Sequence, residues 1–333
     1  MRLIVLYVYV VSVCLVVLTG VAQASELTLY SGRGETFVKP IIEQFQRDTG
    51  IKVNVRYGDT AQLAVLIQEE GQRSPADLFW GQDAGAMGAL ANAGMLAILA
   101  QEIYAGLPEI YTSASGQWVA TSGRARVVAY STIRVQPDEL PQSVFDLTRP
   151  EYRGRVAIPP TNGSFQAFVT AMRVLHGEQR TLEWLEGIKA NAPKMFRNNT
   201  TAVAGIADGE ADFALVNNYY LPRFIATDKD YPVAQAFFAD GDVGNLVNVA
   251  GIAVLKSSKR LDAATQFVRF LISPAAQQYF TTVGNEYAVT PNVISNPDLT
   301  DTRVVLQASP KLNLDELADL RGTLDLLRQA GLL

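Results

Sequence analysis

Gly209-Glu210-Ala211-Asp212-Phe213-Ala214-Leu215-Val216-Asn217-Asn218-Tyr219-Tyr220 is the stretch on which the reading of this 333-residue chain turns. Phe213 to Val216 is short, apolar and partly β-branched, which suits a buried strand of an α/β sheet. Polar residues follow at its carboxyl end, where open α/β sheets place ligands. Side chains alternate faces along a regular strand, so Tyr219 and Tyr220 cannot both point one way on one. If both address one ligand, they sit on a turn or on the first turn of a helix. From the pattern alone two readings stay open: an aromatic pair packed at the rim of a core, or a pair facing a ligand.

Upstream the chain alternates strand and helix. Leu27 to Tyr30 reads as a strand, and Phe37, Ile41 and Phe45 give the following helix its inner face, with Gly50 as its stop. Ile51 to Val55 is the next strand, Thr60 to Glu70 a helix, Asp77 to Trp80 a strand and Asp83 to Asn92 a helix. This βαβαβα order predicts a parallel sheet. The first turn, Ser31-Gly32-Arg33-Gly34, lacks the third glycine of a dinucleotide fingerprint, but a strand-to-helix turn can still offer backbone N–H groups to an anion.

Trp118 to Tyr130 reads as a strand crossing between two lobes. Arg124 and Arg126 share its parity and hence one face; they are either solvated arginines or a paired cationic site. Val156 to Ile158 is a strand, and Pro159-Pro160-Thr161-Asn162-Gly163-Ser164 leads into a helix carrying Phe165, Phe168, Val169, Met172 and Leu175, closed by Gly177. That helix start is either an ordinary cap or an anion site. Helices at 183–190 and 202–207, a returning strand at 246–255, helices at 261–271 and 274–280 and an amphipathic helix at 314–329 complete the pattern.

Residues 1–24 read as a secretory leader, with Arg2 as the only charge, an apolar run to Leu18, and Ala22-Gln23-Ala24 as the cleavage signal before Ser25. Removing it removes the sole cysteine, Cys14, and with it disulfides, thiolate metal sites and cysteine nucleophiles. The net charge then moves from -5 to -6, which gives no footprint for nucleic acid. Roughly 300 residues exceed one usual core and predict two lobes. The chain has no Gly-x-Ser-x-Gly, His-Glu-x-x-His or P-loop motif. Its one histidine, His176, falls at a helix end, so an enzyme is not expected.

The run Ala214-Leu215-Val216-Asn217-Asn218-Tyr219-Tyr220 closely resembles the ferric-iron-binding periplasmic proteins that serve ABC transporters. The similarity extends from Leu27-Thr28-Leu29-Tyr30-Ser31-Gly32 to Asn285-Glu286-Tyr287-Ala288-Val289-Thr290-Pro291. The resemblance implies an α/β bilobal periplasmic-binding-protein fold of type II, two Rossmann-like lobes with a hinge and a central cleft. The expected division is a signal peptide at 1–24, an N-terminal lobe of 25–123 with 249–297, and a C-terminal lobe of 124–248 with 298–333.

It further implies Tyr219 and Tyr220 as ligands of transported ferric iron, with Tyr287 matching a recurrent family tyrosine. Arg124, Asn162, Gly163, Ser164, Asn199 and Asn217 match positions that contact a bound anion, and Arg33, Gly34, Gln82 and Arg126 are cleft candidates. Gly34, Gln82 and Ser164 stand where subgroups carry a ligating histidine, glutamate or third tyrosine. Two phenolates offset two of three iron charges and fill two of about six positions, so carbonate or phosphate is expected to complete the shell. The expected partner is an ABC transporter permease in the inner membrane, with the receptor a periplasmic monomer. The other reading is a receptor for a different anionic solute, a phosphorylated or sulfonated compound or a ferric chelate.

Overall fold

The computed structural model describes residues 26–333. The leader, Cys14 and the expected cleavage after Ala24 lie outside them. The chain opens as β1 (Glu26–Ser31), α1 (Glu35–Thr49), β2 (Lys52–Tyr57), α2 (Thr60–Glu70), β3 (Leu78–Gly81) and α3 (Ala84–Asn92). A short α4 (Gln101–Tyr104) precedes the long β4 (Val119–Ser131). Then come β5 (Val156–Ile158), α5 (Gly163–His176), α6 (Glu178–Ala190), β6 (Lys194–Met195), α7 (Asn199–Ala207) and β7 (Phe213–Asn217). After α8 (Leu221–Ile225) and β8 (Val233–Ala236), β9 (Val247–Val254) leads to α9 (Leu261–Leu271), α10 (Pro274–Gly284), α11 (Thr302–Ala308) and α12 (Leu320–Gln329).

The strands lie in the order β2-β1-β3-β9-β4-β7-β5-β6, with β8 paired to β4. β1 is parallel to β2 and β3, as the βα alternation predicts. The sheet as a whole is mixed, because β9 runs antiparallel to β3 and β4 runs antiparallel to both β9 and β7. The apolar pattern of a strand buried on both faces does not encode its direction. β4 is the shared element. Its first part, Val119 to Ala125, pairs with β9, and Arg126 to Tyr130 pair with β7. Twelve of its thirteen residues are buried, so one continuous strand belongs to both halves of the molecule.

Several boundaries follow local chemistry. Gly50 closes α1 in the left-handed region at φ 71°, where a Cβ would be strained. α6 begins at Glu178, five residues before the expected 183, because Glu178-Gln179-Arg180 form a polar first turn. Its buried side, Thr181, Trp184, Leu185 and Ile188, shows only afterwards. The expected helix at 314–329 is two pieces. Leu314–Ala318 is a 3₁₀ turn, and α12 begins beyond Asp319, whose carboxylate caps Gly322 N–H. The turn packs on α3 while α12 packs on α5 and α6.

Candidate metal centre

Tyr219 and Tyr220 follow directly on β7, and Asn218 bends the chain there. Its backbone N–H donates to the Ala125 carbonyl at 2.9 Å, and its side-chain oxygen accepts Ala125 N–H at 2.9 Å. The side chain thus carries the β4–β7 ladder one step past the strand. Tyr219 then lies in the turn and Tyr220 caps α8, the geometry that lets neighbouring tyrosines face one way. Their rings are 4.4 Å apart at 31°, and the Tyr219 hydroxyl donates to that of Tyr220 at 3.1 Å. Two oxygens binding one hard ion at ~2.0 Å on adjacent octahedral positions stand ~2.8 Å apart, so this pair needs little adjustment. Burial drives the Tyr220 phenol above its usual range, and the neighbouring Tyr219 oxygen adds to the effect. The exposed Arg223 guanidinium lies over both rings, 5.3 and 5.2 Å from their centroids, and favours the phenolate form of Tyr220.

The anion candidates separate into holders and donors. Asn162 caps α5, and its oxygen accepts Ser164 N–H at 3.1 Å, Ser164 Oγ–H at 2.5 Å and Asn199 Nδ2 at 3.0 Å. Asn199 Oδ1 accepts Asn217 N–H at 3.2 Å. Asn162, Ser164, Asn199 and Asn217 therefore form one network tying α5 and α7 to the end of β7. In it Ser164 donates to Asn162, so its own N–H and hydroxyl are engaged within the protein. A Cβ on Gly163 would meet no atom within 4 Å, which leaves that backbone approachable. Asn217 Nδ2 is buried and has no hydrogen-bond partner.

Arg124 and Arg126 are both buried, at 3% and 2% exposure, which rules out the solvated reading. Their roles differ. Arg126 donates to the Leu215 carbonyl at 2.8 Å and lies over the rings of Phe165 and Phe168. Burial depresses its guanidinium to about 9, against the pull of Tyr219 and Tyr220. Arg124 makes a single long bond to the Val249 carbonyl at 3.3 Å, and its Nη1 is buried without a hydrogen-bond partner.

Arg33 is buried in the turn after β1, and its Nη2 binds both oxygens of Glu286 at 2.9 and 2.8 Å. Glu286 also accepts the Ser122 hydroxyl at 2.5 Å and sits 4.0 Å from Arg124 Nη1. The sequence reading missed Glu286 and Asn218. The parity of Ser122, Arg124 and Arg126 on β4 could have suggested a nearby acid, but nothing local points to position 286.

Gly34 and Gln82 are exposed. The turn around them is set by Gly32, where a Cβ would stand 1.9 Å from Thr60 Oγ1, and by Gln82 N–H donating to that same hydroxyl at 3.1 Å. Beside Gln82, Asp83 caps α3 through Ala86 N–H; burial raises its carboxyl, partly offset by that bond and by Arg124. Tyr287 is placed differently from the other tyrosines. Its backbone exchanges hydrogen bonds with Gly123 at 2.7 and 2.8 Å. Its ring stands beside Tyr111 on a cavity of about 510 Å³ whose lining includes Glu286 and residues 288–297. Burial raises its phenol, and Thr300 lies near without a well-formed hydrogen bond.

A mixed sheet with one strand common to two halves, and polar residues gathered at its strand ends, describes a type II periplasmic-binding-protein fold. Residues 27–285 match the family of bacterial extracellular solute-binding proteins, and the chain belongs to that family. Within it, the chain is 35% identical over 316 residues to the major ferric iron-binding protein of Neisseria meningitidis serogroup B, covering 92% of this chain and 93% of that one. The structure of iron-bound HitA from Pseudomonas aeruginosa is similar with a TM-score of 0.84 and 36% identity, over 92% of this chain and 99% of that one. The Trichodesmium protein IdiA (FutA), solved with iron and citrate, gives a TM-score of 0.80 and 28% identity over 92% and 99%. The matched family and these relatives are binding proteins, not enzymes. Among the described residues no helix is long and apolar enough to cross a membrane.

Proposed function

We propose that this protein captures ferric iron between Tyr219 and Tyr220, together with a small oxyanion, and carries it to an ABC transporter permease. The observation that carries the reading is the tyrosine pair itself, two hydroxyls 3.1 Å apart on a turn pinned to β4. The names of the relatives support ferric iron as cargo. A bound trivalent ion holds phenols deprotonated, as metals invert local pKa logic. Arg124 Nη1, Asn217 Nδ2 and the Gly163 backbone are the donors that would receive carbonate or phosphate. Tyr287 faces the cavity beside Tyr111, so we leave it out of the proposed ligand set.

The lobes would be 25–123 with 249–297 and 124–248 with 298–333, closing about β4 and β9. The 3₁₀ turn near the C-terminus then belongs to the second lobe by sequence yet packs on α3 of the first. The protein would work as a periplasmic monomer, released from its leader after Ala24. A second reading, capture of an anionic solute or a ferric chelate, is favoured by the buried arginines, which offer unpartnered donors with or without iron.

The test is a ferric titration followed by visible absorbance, with and without carbonate or phosphate. Wild type should develop a phenolate-to-iron band only when an anion is present. Tyr219→Phe and Tyr220→Phe keep the rings and remove one charged donor each, so each should weaken binding and the band while the iron-free protein stays folded. A double variant that binds as well as wild type would place the site elsewhere.

A further inference from the structure

Glu286 joins two buried cations from distant parts of the chain. Arg33 comes from the turn after β1, Arg124 from β4, and neither is more than 4% exposed. Arg33 binds the carboxylate with both bonds of normal length, while Arg124 approaches only to 4.0 Å. Ser122 supplies the remaining hydrogen bond. Arg33 Nε and Arg124 Nη1 are left buried without hydrogen-bond partners. Two guanidinium groups thus share one carboxylate, which leaves one buried positive charge uncompensated within the trio. Leaving a buried charge uncompensated is costly unless function uses it. Of the other charges at the cleft, Arg126 is buried and bound to the Leu215 carbonyl, and Asp83 is half-buried, held by the start of α3 and within electrostatic reach of Arg124.

We propose that Glu286 sets how much negative charge the cleft accepts: it fixes Arg33 and Arg124 as one unit and cancels one of their two charges, so that the site selects a small dianion over a more highly charged chelator. This rests on the reading of the cleft as an anion-assisted ferric site. Glu286 acts through the arginines and is a positioning residue. A purely structural staple would hold β4 to the turn after β1 equally well, but its loss would weaken all anions alike. A charge-setting residue has a different signature. Replacing it with glutamine adds one positive charge, and the gain scales with the charge of the anion.

The experiment compares phosphate and citrate on wild type, Glu286→Gln, Arg33→Gln and the double variant. Binding is read by calorimetry on the iron-free protein, then by visible absorbance with ferric ion. Each anion is compared with itself in wild type, so differences in size cancel. In Glu286→Gln the citrate-to-phosphate affinity ratio should rise roughly five- to tenfold, the effect of one charge at short range in a partly buried site. In the double variant, where net charge is restored, the ratio should return to within about twofold of wild type.

Should Glu286→Gln not fold, Arg33→Gln carries the same test with the opposite sign, and the ratio should fall. A folded Glu286→Gln with an unchanged ratio would overturn the proposal, as would a change the double variant does not reverse. If the ratio shifts as expected on iron-free protein but ferric ion binds to no form, the charge rule stands and the ferric reading falls. If neither anion binds wild type in either assay, both fall.

Discussion

At the scale of single residues, the proposed centre would couple a metal to protons. Burial and the adjacent Tyr219 raise the Tyr220 phenol, so at neutral pH that phenol is protonated, and ferric binding to the pair would have to expel protons. The sign follows directly. Affinity is lost as pH falls, because protons compete for both oxygens, and a phenol raised in the fold alters iron-free stability only as pH rises past its unfolded value of ~10. Below that range the loss should be about a hundredfold per pH unit for two protons released. A titration series from pH 5.5 to 7.5 at fixed phosphate, corrected for phosphate's own protonation, checks it; a slope near one proton would mean that only one tyrosine ligates. Much of this centre was legible. The Tyr219-Tyr220 turn, the shared parity of Arg124 and Arg126, and the capping role of Asn162 all follow from short-range rules. Glu286 was not, because its partner Arg33 lies 253 positions away and no periodicity spans that distance.

Among the elements, the helices were read best where an apolar stripe marks their extent. α2 and α9 fall at 60–70 and 261–271, as the pattern predicts. The C-terminal helix failed because the stripe continues across its break. Asp319 takes up backbone angles of φ -84° and ψ 68°, and its carbonyl and carboxylate both bind Arg173, a tertiary contact invisible to periodicity. The displaced turn presses its backbone onto α3. A Cβ on Gly88 would stand 2.6 Å from the Asp315 carbonyl oxygen, and one on Gly85 2.7 Å from that of Leu317. Gly88→Ala should therefore destabilise the iron-free protein by about 1–2 kcal/mol net, since overpacking costs ~1–3 and helix propensity returns up to ~1. Urea unfolding measures it. A neutral or stabilising result would show that residues 314–318 can move off α3 without cost.

For the whole molecule, the question is whether two halves behave as one. β4 is hydrogen-bonded to β9 on one side of the junction and to β7 on the other. Asp315 of the C-terminal turn accepts Trp118 Nε1 at 2.6 Å just before β4 begins, while α12 packs on α5 and α6. Unfolding either half alone would strip the ladder from a strand whose residues are almost all buried, leaving backbone groups unpaired. The iron-free protein should therefore unfold in a single transition. A ligand that binds only the folded state adds about 4 kcal/mol at a thousandfold excess over its Kd. In a chain of about 300 residues that corresponds to a rise in Tm of roughly 6 °C. Loading with ferric ion and phosphate should give this rise as one shifted transition, and removing iron with a strong chelator should reverse it. Calorimetry decides between the alternatives. Two separate transitions, only one of them moved by iron, would mean that the shared strand does not couple the halves and that the ion is held within one of them.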